Sequence, residues 1–132
     1  MQSQLHIHSI DSVTLENAVR ANVEQALAED LGDGDISANL IDAQALAGAR
    51  VITREQGIFC GVPWVNETLK QIDAVAQIQW RVADGDRVTP NQELFALQGK
   101  ARSLLSAERT MLNFVQLLSG TATRTAKYVE LI

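Results

Sequence analysis

The chain has 132 residues, 46% of them hydrophobic, which suits one domain with a core of its own. Its net charge of −5 argues against nucleic acid and against an anionic membrane surface as partners. No hydrophobic run approaches the length of a membrane span. The single cysteine, Cys60, cannot form an internal disulfide, and its run IFCGV indicates a small core residue. Together with an amino terminus that lacks the features of a signal peptide, these properties predict a cytoplasmic protein.

The first eleven residues are predicted to form a polar, mobile arm, and residues 12–132 one domain. The arm contains His6 and His8, whose side chains would point the same way in an extended segment. A structural zinc site needs four ligands, and no further histidine or nearby cysteine completes one. We therefore predict no metal site in the arm.

A first helix is predicted over residues 14–31, with Thr14 as its cap and Val19 and Val23 on its buried face. Gly32 is expected to end it. Asp30 lies in the last turn, where a negative charge opposes the helix dipole. Such a charge indicates either a compensating contact elsewhere in the fold or a solvated helix end.

The segment Asp33-Gly34-Asp35 resembles the start of a calcium-binding loop. The sixth and twelfth positions of that loop should be Gly and Glu, but here they are Ala38 and Gln44. A tight turn is therefore the better interpretation.

The middle of the chain shows the two-residue periodicity of strands, interrupted by one helix that Pro63 opens. Four segments are predicted as strands, namely residues 47–54, 58–60, 78–82 and 94–97. Turn signals separate them, and a long helix follows. The predicted class is α+β, with a small antiparallel sheet of about four strands and helices packed on it.

The longest helical pattern runs over residues 103–123. Its buried stripe consists of Leu104, Ala107, Met111, Val115 and Leu118. Arg109 lies outside this stripe, and no carboxylate stands three or four residues away. Any anionic partner must therefore come from elsewhere. The alternative is an arginine whose stem covers apolar surface while its head reaches water.

Several polar or small residues near this helix receive weaker interpretations. Lys100 and Arg102 are predicted to lie on a solvated face. Asn113 is interpreted as bonding across an interface or as an ordinary satisfied polar residue, and Gly120 as permitting close packing and a bend. The chain contains neither a phosphate-binding glycine loop nor a nucleophile elbow, so no self-sufficient active site is predicted.

Five segments appear in an order that resembles a known family: AEDLGDGDIS, ITREQGIFCG, VADGDRV, LQGKARSLL and LLSAERTMLNFVQLLSGTAT. The family is quinolinate phosphoribosyltransferase, and the resemblance covers residues 13–132. It concerns only the amino-terminal α/β sandwich of the family. The resemblance implies that the long helix leads into an α/β barrel domain outside this chain. The apolar end KYVELI also suggests part of a longer protein that self-associates when isolated.

The resemblance implies an activity for the complete protein. Such an enzyme moves phosphoribose from phosphoribosyl pyrophosphate to quinolinate and releases pyrophosphate and carbon dioxide. The product is nicotinate mononucleotide, on the route to NAD. Mg²⁺ would accompany the pyrophosphate. The enzyme would be a homodimer or a higher homo-oligomer, in which Arg109 contacts quinolinate in the partner's barrel. The resemblance places no catalytic residue in this chain, so the chain alone is expected to be inactive.

Two alternatives remain open from the sequence. A sister family associated with molybdenum transport has the same architecture and similar motifs. The segment WRVADGDRVTPNQELFALQG also has the rhythm of a lipoyl or biotinyl carrier. Such carriers modify a lysine at a hairpin tip, and none lies between Asp73 and Gly99. The carrier hypothesis is therefore the weaker one.

Overall fold

A computed structural model describes residues 11–31 and 40–131, with side chains up to residue 124. The described residues form three helices and five strands, listed here in chain order: α1 (Ser12–Asp30), β1 (Leu46–Ile52), β2 (Gly57–Ile58), α2 (Val62–Ile72), β3 (Gln77–Trp80), β4 (Arg87–Val88), β5 (Glu93–Lys100) and α3 (Ala101–Leu131). This arrangement confirms the predicted α+β class with a small antiparallel sheet.

The strands form two antiparallel sheets. The larger has the order β1-β5-β3, and the smaller pairs β2 with β4. In the larger sheet Leu97 is the partner of Ala49 on one side and of Ile78 on the other. Strand β5 is longer than predicted because it pairs with β1 from Glu93 to Lys100, whereas β3 pairs with it only from Phe95 to Gln98. The two-residue strand β4 was not predicted, since its pairing with β2 leaves no local pattern.

The core lies between the sheet and the stripe of α3. Phe95 of β5 and Met111 of α3 are both almost fully buried, at 0% and 1% exposure. The Trp80 ring packs beside Phe95, with ring centroids 4.7 Å apart. Of the predicted stripe of α3, Leu104, Ala107, Met111 and Val115 are buried, while Leu118 is half-buried. The helical period thus identified the buried face of α3 correctly.

Helix α1 begins earlier than predicted. Its cap is Asp11, whose Oδ1 accepts a hydrogen bond from the Val13 amide at 2.9 Å. The cap predicted at Thr14 is therefore wrong, because an aspartate three residues earlier satisfies the helix amino terminus. Val19 and Val23 form the buried face, as predicted. Residues 1–10, which include His6 and His8, and the segment from Gly32 to residue 39, which includes Asp33-Gly34-Asp35, lie outside the described residues.

Strand β5 passes into α3 without a linker, since Lys100 ends the strand and Ala101 begins the helix. Arg102 is half-buried there, and its Nε donates to the Ile41 carbonyl oxygen at 2.5 Å. The solvated position predicted for Arg102 is therefore wrong. One residue later, the Ser103 hydroxyl donates to Asp73 Oδ2 at 3.0 Å. These contacts fix the start of α3 against the loops before β1 and after α2.

Helix α3 continues through Gly120. Among the described atoms, a Cβ on Gly120 would meet only Arg124 Nη1, at 3.6 Å, so the close packing predicted there is wrong. The close approach to α3 is instead at Gly57 of β2. A Cβ there would lie 2.6 Å from Thr123 Oγ1, the atom that accepts the Ile58 amide.

Candidate substrate-contact site

Arg109 lies on the exposed side of α3, in a turn whose other side is packed against the core. Ala107 is 0% exposed and Met111 1%, so the backbone of this turn has little freedom. Within the described part of the chain, no group forms a hydrogen bond or ion pair with the Arg109 guanidinium. Helix α3 therefore holds the Arg109 guanidinium at the surface of the domain, without a partner among the described residues.

Two arginines at the sheet, unlike Arg109, form ion pairs with a carboxylate of the domain. Glu93 accepts from Arg81 Nε at 2.9 Å and lies 3.5 Å from Arg50 Nη1. The hydrogen bond from Arg81 is the main cause that lowers the pKa of the Glu93 carboxyl. Arginines on the sheet thus find a carboxylate within the domain, and Arg109 does not. This contrast distinguishes Arg109 as a candidate contact for an external anion.

The residue after Arg109 points into the fold. Thr110 is 1% exposed, and its hydroxyl donates to Asp30 Oδ2 at 2.5 Å. This bond joins the last turn of α1 to the turn of α3 that carries Arg109. It is the compensating contact that the acidic end of α1 indicated. No sequence pattern identified Thr110 as the partner of Asp30, because the two residues are 80 positions apart.

A second attachment holds the far half of α3. The Ser119 hydroxyl accepts from the Cys60 amide at 3.0 Å and donates to the Cys60 carbonyl oxygen at 3.2 Å. The segment between β2 and α2 is thereby fixed to the helix. Helix α3 is therefore anchored at its start, at the Arg109 turn and towards its far half.

A groove of about 500 Å³ runs between β1 and α3. Its lining includes Ala49 and Val51 from the sheet and Leu105, Glu108 and Leu112 from the helix. Successive helical residues are about 100° apart around the axis. The groove and the Arg109 side chain thus lie on adjoining faces of one turn of α3. Strand β1 is also exposed along most of its length, so this flank of the sheet is open.

Two further groups have shifted pKa values. The Val75 amide and then the Ser103 hydroxyl lower the pKa of Asp73 by hydrogen bonding to its carboxylate. Burial, and secondarily the nearby Asp84 carboxylate, raises the pKa of the Cys60 thiol. A thiol with a raised pKa is a poor nucleophile at neutral pH. Cys60 itself is half-buried and lies outside the buried core, so the prediction of a core residue is wrong.

The described residues contain no cluster of three or more His, Cys, Asp or Glu side chains that could hold a metal ion. No helix in the described ranges is both long enough and apolar enough to cross a membrane.

Comparison with known proteins decides the family. Residues 35–119 match the family model described as quinolinate phosphoribosyl transferase, N-terminal domain. The chain belongs to this family. A relative from Mycobacterium leprae, a nicotinate-nucleotide pyrophosphorylase (carboxylating), is 37% identical over 120 residues, which are 88% of this chain and 42% of that protein. A probable enzyme of the same name from Synechocystis is 36% identical over 110 residues, or 83% of this chain and 37% of the relative.

A solved structure agrees with this assignment. The nicotinate-nucleotide pyrophosphorylase from Francisella tularensis has a TM-score of 0.84 and 46% identity, over 88% of this chain and 41% of that one. The matched region spans 29% to 42% of the length of six curated relatives. The shared fold is therefore that of the amino-terminal domain of quinolinate phosphoribosyltransferase.

Proposed function

We propose that the complete protein is a quinolinate phosphoribosyltransferase. It would transfer phosphoribose from phosphoribosyl pyrophosphate to quinolinate and release pyrophosphate and carbon dioxide. The product, nicotinate mononucleotide, would feed NAD biosynthesis in the cytoplasm. Membership of the family supports this activity, and so do relatives named for it. These relatives favour the transferase over the carrier and over the sister family associated with molybdenum transport.

Arg109 carries the contribution of this chain to that activity. Quinolinate is a dicarboxylate, and the planar guanidinium fork of arginine matches a carboxylate with two hydrogen bonds. Arg109 has no carboxylate partner among the described residues, and a packed helix holds its backbone. A cation presented in this way costs little reorganisation when an anion binds. We therefore assign Arg109 to a carboxylate of quinolinate.

The complete enzyme would be a homodimer or a higher homo-oligomer, with Arg109 reaching the site of the partner subunit. Its exposure on the outer face of α3 is compatible with that arrangement. Mg²⁺ would bind with the pyrophosphate, through carboxylates beyond the ranges described here. The residues of this chain would bind and orient quinolinate, while groups of the proposed barrel domain perform the transfer.

Substitution of Arg109 in the complete enzyme tests the assignment. A charge-assisted hydrogen bond contributes about 1.5–3 kcal/mol, so Arg109→Ala should lower kcat/KM for quinolinate roughly ten- to a hundredfold. Arg109→Lys should recover only part of this loss, because lysine lacks the fork. Arg20→Ala is the matched control, since Arg20 is also an exposed helical arginine, with its Nη1 bonded to Asn17.

The Arg20 variant should retain full activity, and neither substitution should change the melting temperature appreciably. Full activity in Arg109→Ala would refute the assignment of Arg109. A wild-type enzyme that does not convert quinolinate at all would refute the proposed reaction and favour the sister family.

A further inference from the structure

Thr110 makes an unusual choice of hydrogen-bond partner. A threonine inside a helix commonly donates to the carbonyl four residues earlier. Thr68 and Thr121 do so, bonding the carbonyl oxygens of Trp64 at 2.7 Å and Leu117 at 3.1 Å. The Thr110 hydroxyl donates instead to a different helix, to Asp30 Oδ2.

The Asp30 carboxylate, which accepts this bond, lies at an unfavourable position in its own helix. Asp30 is the last residue of α1, where the helix dipole is unfavourable for a negative charge. No basic residue lies in that last turn to offset the charge. The bond to Thr110 therefore uses an acid that local helix energetics alone would not place there. A charge-assisted bond of this kind is shorter and stronger than one between neutral groups.

The bond between Thr110 and Asp30 lies in the same turn of α3 as Arg109. Thr110 faces α1, and Arg109, one residue earlier, projects about 100° away around the same helix axis. Arg109 has no bond of its own to the described residues, so its direction depends on how α3 is rotated at this turn. Binding groups must be held within about 0.5 Å and 10–20° of their productive geometry. An anchor on the neighbouring residue controls that rotation most directly.

We propose that Asp30 and Thr110 are a positioning pair that aims Arg109 at the carboxylate of quinolinate. The inference rests on the proposed function. The pair touches no substrate and acts only through the orientation of the Arg109 turn. Its loss should therefore weaken the recognition of quinolinate and leave the recognition of phosphoribosyl pyrophosphate unchanged.

The test uses the complete enzyme with Thr110→Val, which keeps the shape of the side chain but removes the hydroxyl. We expect kcat/KM for quinolinate to fall about tenfold, at the low end of the effect of residues that orient a ligand-binding group. KM for phosphoribosyl pyrophosphate should not change. Thr110→Ser keeps a hydroxyl at this position, so this variant should retain the activity that Thr110→Val loses. Asp30→Ala should reproduce the Thr110→Val defect, and it provides a second route if the valine variant folds poorly.

Ser119→Ala is the matched control. It also removes a hydroxyl that fixes α3 to another segment, but far from the Arg109 turn. It should lower thermal stability without a selective effect on quinolinate. In the Arg109→Ala background, Thr110→Val should cause no further loss of kcat/KM, since two residues that act through one contact are not additive.

Two results would overturn the inference while leaving the proposed function intact. One is a Thr110→Val defect no more selective for quinolinate than that of Ser119→Ala. The other is an additional loss when Thr110→Val is combined with Arg109→Ala. If Arg109→Ala itself were fully active, the assignment of Arg109 would fail first, and the positioning pair with it.

Discussion

The Asp84 side chain caps the amino terminus of α2, although it lies 23 positions after Gly61 in the sequence. Its Oδ1 accepts the Gly61 amide at 2.8 Å and the Val62 amide at 3.0 Å. Gly61 is the N-cap residue and has no side chain that could accept these bonds. Its φ of 137° is one that residues with a side chain rarely adopt, so an ordinary capping residue does not fit there. A distant carboxylate thus replaces the local cap.

Removal of this carboxylate should destabilise the chain. We expect Asp84→Ala to lower the free energy of unfolding by about 1–2 kcal/mol, since two amides at a helix start lose their acceptor. Asp84→Asn should cost less, because its amide oxygen still accepts. Urea denaturation of the three proteins measures the difference. Equal stability of Asp84→Ala and the wild type would show that water replaces the carboxylate without cost.

The Cys60 thiol should react slowly with thiol reagents at neutral pH, because burial and then Asp84 raise its pKa. Asp84→Asn removes the charge and should speed the reaction, by less than about tenfold since burial is the larger cause. Asp86→Asn is the control, because Asp86 bonds the Ala83 amide in the same turn. The rate of reaction with a chromogenic disulfide reports the effect. Equal acceleration in both variants would mean that general loosening, not the Asp84 charge, is responsible.

The Asp73 carboxylate should make stability depend on pH in the acid range. Hydrogen bonds from the Val75 amide and the Ser103 hydroxyl lower its pKa below the ordinary value of 3.8. The ionised group therefore stabilises the fold above pH 3.8, and this contribution is lost as pH falls through the lower pKa of the folded state.

The measurement is the difference in unfolding free energy between the wild type and Asp73→Asn across a pH series. This difference should be constant at neutral pH and should shrink in acid. Ser103→Ala should weaken the dependence, since one of the donors to Asp73 is removed. A difference that stays constant well below pH 3.8 would contradict the pKa shift.

Local periodicity predicted the parts of the fold that depend on neighbours in the sequence. The stripe of α3 and the buried valines of α1 follow from a period of 3.6 residues, and β1 from a period of two. The exposed position of Arg109 follows from the same pattern, since it lies outside the stripe. The family resemblance, rather than the periodicity, supplied its function.

The remaining features depend on pairs that are distant in the sequence. Asp30 and Thr110 are 80 positions apart, and Arg102 and Ile41 are 61 apart. No local pattern specifies which residues will meet across the core. The prediction of the α1 cap was wrong for another reason. Asp and Thr are both good N-cap residues, and the helical period does not distinguish Asp11 from Thr14.

The chain of 132 residues alone should not turn over quinolinate. The family resemblance places no catalytic residue in this chain, and the relative from Mycobacterium leprae is more than twice as long. An assay of the purified chain with quinolinate, phosphoribosyl pyrophosphate and Mg²⁺ should give no nicotinate mononucleotide. The complete enzyme is the positive control. Measurable turnover by the purified chain would place a full catalytic site within these residues.

If Arg109 serves the site of the partner subunit, then mixing two inactive variants should restore activity. One complete enzyme carries Arg109→Ala, and the other carries an inactivating substitution in the proposed barrel domain. In a two-fold dimer each site would combine the barrel of one subunit with Arg109 of the other. A mixed dimer would then have one site with both defects and one site with neither.

Random exchange of subunits makes about half of the dimers mixed, so roughly a quarter of all sites should recover activity. Each variant incubated alone gives the baseline, and differently tagged subunits, purified together, report that exchange has occurred. We predict that the mixture has activity near a quarter of that of the wild type. Demonstrated exchange with activity no higher than the baseline would show that Arg109 does not act on the partner's site.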